Sequence, residues 1–198
     1  MSAKSRSTKA PETHLLFGRV KSPIGTILLA CAGDKLCALE FADSEDRMLA
    51  VLRRRYGKFK VVDAADPGRV CTRIGAYLLG DLDALDDIVV DGGGTPFQRK
   101  VWAGLRKVAA GQTVSYAGLA KRLGMPKAVR AVARANALNP ISLVVPCHRV
   151  IGSDGSLTGY GGGLPRKRWL LEHEGVVLSS AASGVNRDRR YPAPSPRP

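Results

Sequence analysis

The chain has no apolar run of the roughly 18 residues that a membrane helix needs. Its longest apolar stretch, Ile24 to Ala32, is interrupted by Gly25 and Thr26 and reads as a strand. Residues 1–10 hold Ser, Thr, Lys and Arg but no apolar core, which reads against a secretory signal. Histidine is scarce, with 3 in 198 residues, and none lies three to five residues from another. The 4 cysteines, Cys31, Cys37, Cys71 and Cys147, contain no C-x-x-C pair. That spacing argues against a structural zinc site, and no metal or other cofactor is expected. Scattered cysteines point to a reducing cytoplasm. Acidic residues are sparse in one region only. Residues 95–198 carry 4 acidic against 17 basic side chains, while residues 1–94 carry 13 against 14. The formal net charge of +14 therefore lies almost wholly in the second half. Such a split suggests a nucleic-acid or anionic partner. A solubility device, or a genome rich in Arg codons, is the plainer reading.

A hydrophobic content of 44% is ordinary for a globular chain. Residues 1–11 and 179–198 are polar, basic or proline-rich and read as disordered tails. Between them, residues 12–91 alternate short apolar runs with helical patterns. His14–Val20, Ile24–Ala32, Leu36–Phe41 and Phe59–Val62 read as strands. Ser44 is positioned to cap a helix to Tyr56, and Pro67–Leu79 reads as a second helix with Val70, Ile74, Tyr77 and Leu78 inward. This is the pattern of a small α+β domain. Gly92–Gly94 marks a linker, and residues 95–178 form a second unit.

That second unit is dense in helix signals. Thr95-Pro96-Phe97-Gln98 is a capping box with proline at the first helical position, and the helix is expected to reach about Ala109. Ser115 caps a short helix ending at Gly124. Pro126 is expected to open a third, closed by Asn139-Pro140. A short helix, a glycine turn and another helix form a helix-turn-helix signature. Lys127, Arg130 and Arg134 fall on one face of the third helix, which reads as a DNA-facing surface. Ile141–Val145 reads as a buried strand leading to Pro146-Cys147-His148-Arg149-Val150. A loop with six glycines follows, Gly152 to Gly163, then a helix from about Pro165 to Glu174 with Gly175 beyond its end.

Cys147 and His148 are adjacent. In extended backbone neighbouring side chains point opposite ways, so a water or a bend would have to link them. An imidazole that accepts the thiol proton activates sulfur, and an acid can steady the imidazolium. The acids in this half are Asp154, Glu172, Glu174 and Asp188. Taken alone, such a pair is more often structural than catalytic.

The motif Pro146-Cys147-His148-Arg149-Val150 resembles the active-site signature of the O6-alkylguanine-DNA alkyltransferases. Gly94–Gln98, Val114-Ser115-Tyr116, Pro126–Val132, Asn139-Pro140, Gly152–Gly163 and Trp169–Gly175 resemble that family's pattern in the same order. The likeness is strong over about 95–176. Residues 12–91 resemble the family's ribonuclease-H-like N-terminal domain more weakly. The fold it implies is α+β: that small domain, then a mainly helical, winged-helix-like domain that binds DNA and carries the chemistry.

The resemblance implies roles. Cys147 would accept the alkyl group from guanine O6, and by extension from thymine O4. His148 would deprotonate it through a water, and Glu174 would orient His148. Tyr116 would steer the phosphate and donate to the flipped guanine. Arg130 would fill the base stack, with Gln98 and Ser153 touching the DNA backbone. Asn139 would brace the active-site loop. Val150, Tyr160 and Gly161 would line the guanine pocket, with Gly161 leaving its wall more open than in relatives that place a small hydroxyl residue there. Small side chains at Ala128, Ala131 and Ala135 would allow close approach to the minor groove. The implied protein is a cytoplasmic monomer that acts once on double-stranded DNA containing alkylated guanine, with no membrane partner. Three competing readings are a lesion-binding relative without transfer, a helix-turn-helix regulator, and a cysteine hydrolase.

Overall fold

The computed structural model describes residues 13–178 and 191–194. The stretches 1–11, 179–190 and 195–198, read above as parts of disordered tails, lie outside the described residues. Residues 191–194 are described, and Trp169 Nε1 donates to the Pro192 carbonyl at 2.7 Å.

Four strands, β1 (Thr13–Val20), β2 (Ile27–Ala32), β3 (Lys35–Phe41) and β4 (Phe59–Asp63), form a sheet in the order β3-β2-β1-β4. Only β1 and β4 run parallel. β2 starts three residues later than expected, because Ser22 to Gly25 close a turn and Gly25 takes a φ of 108°. The sheet is apolar on both faces, so β2 and β3 read as nearly continuous apolar runs. Leu28, Ala30 and Ala38 pack under Met48 and Leu52 of α1 (Glu45–Tyr56). Ile27, Leu29, Leu36 and Leu39 face the other way, against Val70, Ile74 and Tyr77 of α2 (Val70–Leu78). α2 is shorter than the sequence suggests. Gly68 and Arg69 both adopt left-handed φ, which breaks Pro67–Arg69 off as a separate turn. The Asp66 carboxylate then accepts from Cys71 N at 2.7 Å and Thr72 Oγ1 at 2.6 Å, satisfying the start of α2.

The second half is mainly helical: α3 (Pro96–Leu105), α4 (Tyr116–Arg122), α5 (Val129–Ala137) and α6 (Leu164–His173), with β5 (Val114–Ser115) and β6 (Val150–Ile151) paired parallel. Both bonds of the Thr95–Gln98 capping box are made. α3 ends at Leu105, short of Ala109, and finishes in the tighter i+3 bonds of Lys107 and Val108. α5 begins at Val129 instead of Pro126. Pro126 and Lys127 form a turn closed by Ala128 N on Met125 O, so α4 and α5 are six residues apart rather than one or two. Proline suits the second place of such a turn as well as it suits a helix start.

Ile141–Val145 is not a strand. Ile141 makes one bridge to Leu39, and Leu143 then turns the chain with a φ of 70°. Leu39 N donates to Pro140 O and Ser142 N to Leu39 O, both at 2.9 Å. The loop that leads to Cys147 is thus added to the free edge of β3. One apolar cluster runs from Ile24 through Tyr77 to Trp169, so the two halves share a core.

Candidate active site

Pro146 ends the loop, and Cys147–Arg149 form one 3₁₀ turn instead of extended backbone. Cys147 is 5% exposed and His148 is fully buried. Their side chains still do not bond directly. His148 Nε2 is 2.9 Å from Glu174 Oε1, and His148 Nδ1 is buried with no partner in the protein. Cys147 Sγ instead receives Asn139 Nδ2 at 3.2 Å.

Asn139 is the brace of the loop. Its Nδ2 also donates to Val145 O at 2.8 Å and Ile141 O at 3.3 Å, while its Oδ1 accepts from Ile141 N at 3.0 Å. It is 2% exposed, so these bonds have little competition from water.

Glu174 sits at the C-terminal cap of α6, where the helix dipole disfavours a carboxylate. Other donors offset this. Arg149 Nε reaches Oε2 at 3.0 Å, Arg149 Nη2 reaches Oε1 at 2.9 Å, and Tyr77 OH reaches Oε1 at 2.8 Å. Burial alone would raise the Glu174 pKa. In the acid range, where His148 is protonated, its charge and hydrogen bond, with those of Arg149, hold Glu174 well below the usual carboxylate range instead. An ionised Glu174 assigns the His148 proton to Nε2 and leaves Nδ1 as an acceptor. Burial pushes the His148 pKa down against the pull of Glu174, so the ring is neutral at pH 7. Burial also pushes the Cys147 thiol up, with Asn139 opposing it. The resting state is therefore thiol and imidazole, not thiolate and imidazolium. The thiol must lose its proton in the course of reaction.

Three participants carried no sequence signal. Tyr77 read as an apolar stripe residue, Arg149 as part of the motif without a role, and Lys167 was not singled out within its helix. Lys167 is fully buried, and its Nζ donates to Val150 O at 2.5 Å and Thr158 O at 2.6 Å, tying β6 to the glycine loop. Burial lowers its pKa to about 8. Only a charge count inside an apolar helix pattern could have flagged it.

The remaining residues named from sequence are dispersed around this centre. Val150 is fully buried. Tyr160 stands edge-on to His148, with ring centroids 6.3 Å apart, and its hydroxyl is buried without a protein partner. Half-buried Tyr116 opens α4, and its hydroxyl lies beside Gly159. Arg130, Ala131 and Arg134 are exposed on α5, while Ala135 is buried and faces inward. Lys127 lies in the preceding turn. Gln98 is part of the α3 capping box, and Ser153 is exposed after β6. Gly161 does not leave an open wall. The guanidinium of Arg47, from α1, lies against it. Among the described residues no group of three or more His, Cys, Asp or Glu is placed to hold a metal, and no helix is long and apolar enough to cross a membrane.

A buried thiol next to an imidazole fixed by a buried carboxylate, in a basic segment that also holds the α4–α5 helix pair, fits a class of proteins that use a protein thiol on DNA. Comparison with known proteins narrows the class. Residues 96–176 match the family model described as 6-O-methylguanine DNA methyltransferase, DNA binding domain, and residues 15–91 match the ribonuclease-like domain of the same family. The chain is 45% identical over 168 residues to a methylated-DNA–protein-cysteine methyltransferase of Salmonella typhimurium, covering 83% of this chain and 98% of the relative. A protein of the same name from Mycolicibacterium paratuberculosis is 53% identical over 161 residues, covering 80% and 91%. The crystal structure of Mycobacterium tuberculosis OGT in complex with DNA superposes with a TM-score of 0.68 at 37% identity, covering 80% of this chain and 92% of that one. The chain belongs to the 6-O-methylguanine DNA methyltransferase family.

Proposed function

We propose that the chain repairs DNA directly, by moving a methyl or other alkyl group from O6 of guanine to Cys147. In that step the S–C bond forms as the O6–C bond breaks. The thiol proton passes through a water to His148, Tyr116 gives its hydroxyl proton to the guanine ring nitrogen, and the proton held by His148 returns through water to Tyr116, so the net movement is one proton from thiol to guanine. The observation that carries the reading is the Asn139–Cys147 contact next to the His148–Glu174 pair, 3.2 and 2.9 Å. Asn139 holds sulfur in place, His148 Nδ1 receives the proton through a water, and Glu174 keeps that nitrogen free. The product thioether is a poor leaving group, and none of the other three cysteines is assigned a resolving role. Each chain therefore acts once and needs no cofactor.

The buried position of Cys147 supports base flipping, since a stacked guanine cannot reach it. Exposed Arg130 on α5 is the residue to fill the vacated stack, and Tyr116 the one to steer the phosphate and donate to the ring. Gln98 and Ser153 touch the backbone, and Val150, Tyr160 and Gly161 line the pocket. The helix pair with the β5–β6 ribbon supports a winged-helix description of residues 95–178, after a ribonuclease-H-like unit at 12–91 and the 92–94 linker. Transfer from thymine O4, action as a monomer and a cytoplasmic location complete the reading.

The test is mass. Incubated with duplex DNA holding one O6-methylguanine, the intact protein should gain one methyl mass on Cys147 and stop at one equivalent. C147A should bind DNA without gaining mass. Repeated turnover, or no mass gain by the unaltered protein, would defeat the reading and favour a hydrolase or a lesion-binding protein.

A further inference from the structure

One charged side chain interrupts the apolar face that β3 turns towards α1. Glu40 is 1% exposed, and its Oε2 has no hydrogen-bond partner in the protein. Its Oε1 is engaged by Arg47 Nη2. A buried carboxylate without a counter-charge would be costly, so the pair fixes the guanidinium in one place. The Arg47 side chain is 41% exposed, so the pair spans from the interior to the surface.

That place lies against Gly161, which the alkyl-transfer reading puts in the guanine pocket. A Cβ at Gly161 would lie 2.7 Å from Arg47 Nη1, 3.0 Å from Nη2 and 3.2 Å from Cζ. Gly161 is not among the positive-φ glycines, so backbone conformation does not require glycine there. A Cβ there would instead meet the far end of the Arg47 side chain. Cys147 and Tyr160 both lie within electrostatic range of Glu40 and Arg47. A cavity of about 90 Å³ adjoins the same pair and is also lined by Met48 and Asn139.

We propose that Arg47, held by Glu40, is a specificity-determining residue: its guanidinium is the pocket wall beside Gly161 and restricts Cys147 to small alkyl groups. The wall belongs to the first half of the chain, whereas the thiol belongs to the second. The inference rests on the alkyl-transfer reading, and the bonds made and broken are those given above. A flat guanidinium against the pocket leaves less room for a benzyl group than for a methyl group.

The experiment compares single-turnover transfer from duplexes carrying one O6-methylguanine or one O6-benzylguanine, read as mass gain on the full chain. Methyl gain by the unaltered protein tests the alkyl-transfer reading. The benzyl-to-methyl rate ratio tests the wall, because both substrates use the same thiol and any change in its activation cancels. The ratio should rise about tenfold or more in R47A, the scale of discrimination that pocket shape supplies. R47A leaves Glu40 uncompensated, so E40Q/R47A is measured alongside and decides the matter if R47A does not fold. A ratio that stays level or falls in the folded variants overturns the proposal, a fall meaning that the guanidinium welcomes an aromatic ring.

Discussion

Glu174 is the residue on which the buried polar network converges. It accepts from His148, Arg149 and Tyr77. Glu174→Gln keeps the shape and removes the charge, leaving Arg149 buried without its partner. Breaking such a pair costs about 3–5 kcal/mol. Denaturant unfolding should show a loss of this size, and methyl transfer should slow. Arg149 Nη1 also donates to the Val108 carbonyl at 2.5 Å, and a stability change within experimental error would mean that this bond alone satisfies the guanidinium. Acid should act on the same network in two stages. The His148 pKa is lowered on folding, so the folded state binds fewer protons than the unfolded chain as pH falls through about 6.5. Stability is present above that pH and declines below it. The Glu174 pKa is also lowered, so its contribution persists above about 4.5 and is lost at more acid pH. Unfolding followed from pH 8 to pH 4 should thus lose stability already near pH 6, and His148→Phe should remove that first stage. A wild-type profile flat down to pH 5 would contradict a neutral buried His148.

At the scale of elements, α5 divides its residues by face. Val132, Ala135 and Asn136 are buried, and Trp102 Nε1 of α3 donates to the Ala135 carbonyl at 2.9 Å. Arg130, Ala131 and Arg134 are exposed. If this face enters a minor groove, bulk there is harmful to binding and harmless to folding. Ala131→Leu should weaken DNA binding by about tenfold, or 1.4 kcal/mol, with the melting temperature nearly unchanged. Fluorescence anisotropy and thermal unfolding on one sample distinguish the two effects. Equal affinity would place the groove contact elsewhere. α5 also shows how far local signals reach. The stop at Asn139-Pro140 was legible, since the residue before proline avoids helical backbone. The start was not, because proline at 126 serves a turn as well as a helix. The Thr95–Gln98 capping box had no such ambiguity, since both of its bonds are local.

Across the whole molecule, the two halves depend on each other. The active-site loop is bonded to the edge of β3, Tyr77 from α2 donates to Glu174, and Arg166 Nε of α6 donates to the Ile24 carbonyl at 2.8 Å. Residues 95–198 expressed alone should therefore lack a cooperative unfolding transition and fail to accept a methyl group. A sharp transition in that fragment would show that the shared core is dispensable. The asymmetry of charge gains meaning at the same scale. Residues 95–178 hold 13 basic and 3 acidic side chains, and both the thiol and the exposed arginines of α5 lie within them.

By itself the sequence determined what is local or carried by composition. It determined the strands β1 and β3, the caps of α3 and α4, the basic second half, and the Cys147-His148 motif that pointed to the family. These follow from side-chain periodicity, from hydrogen bonds that span three or four residues, and from charge. The tertiary structure decided what depends on residues far apart. Leu143 takes a left-handed φ because the loop must leave the edge of β3 immediately after pairing with it. Tyr77 and Glu174 are 97 positions apart and meet only because α2 and the end of α6 pack on one core. Arg47 reaches Gly161 only because a carboxylate buried in a sheet holds it there. Local pattern constrains each segment, but burial and charge compensation between distant segments settle which side chains become a site.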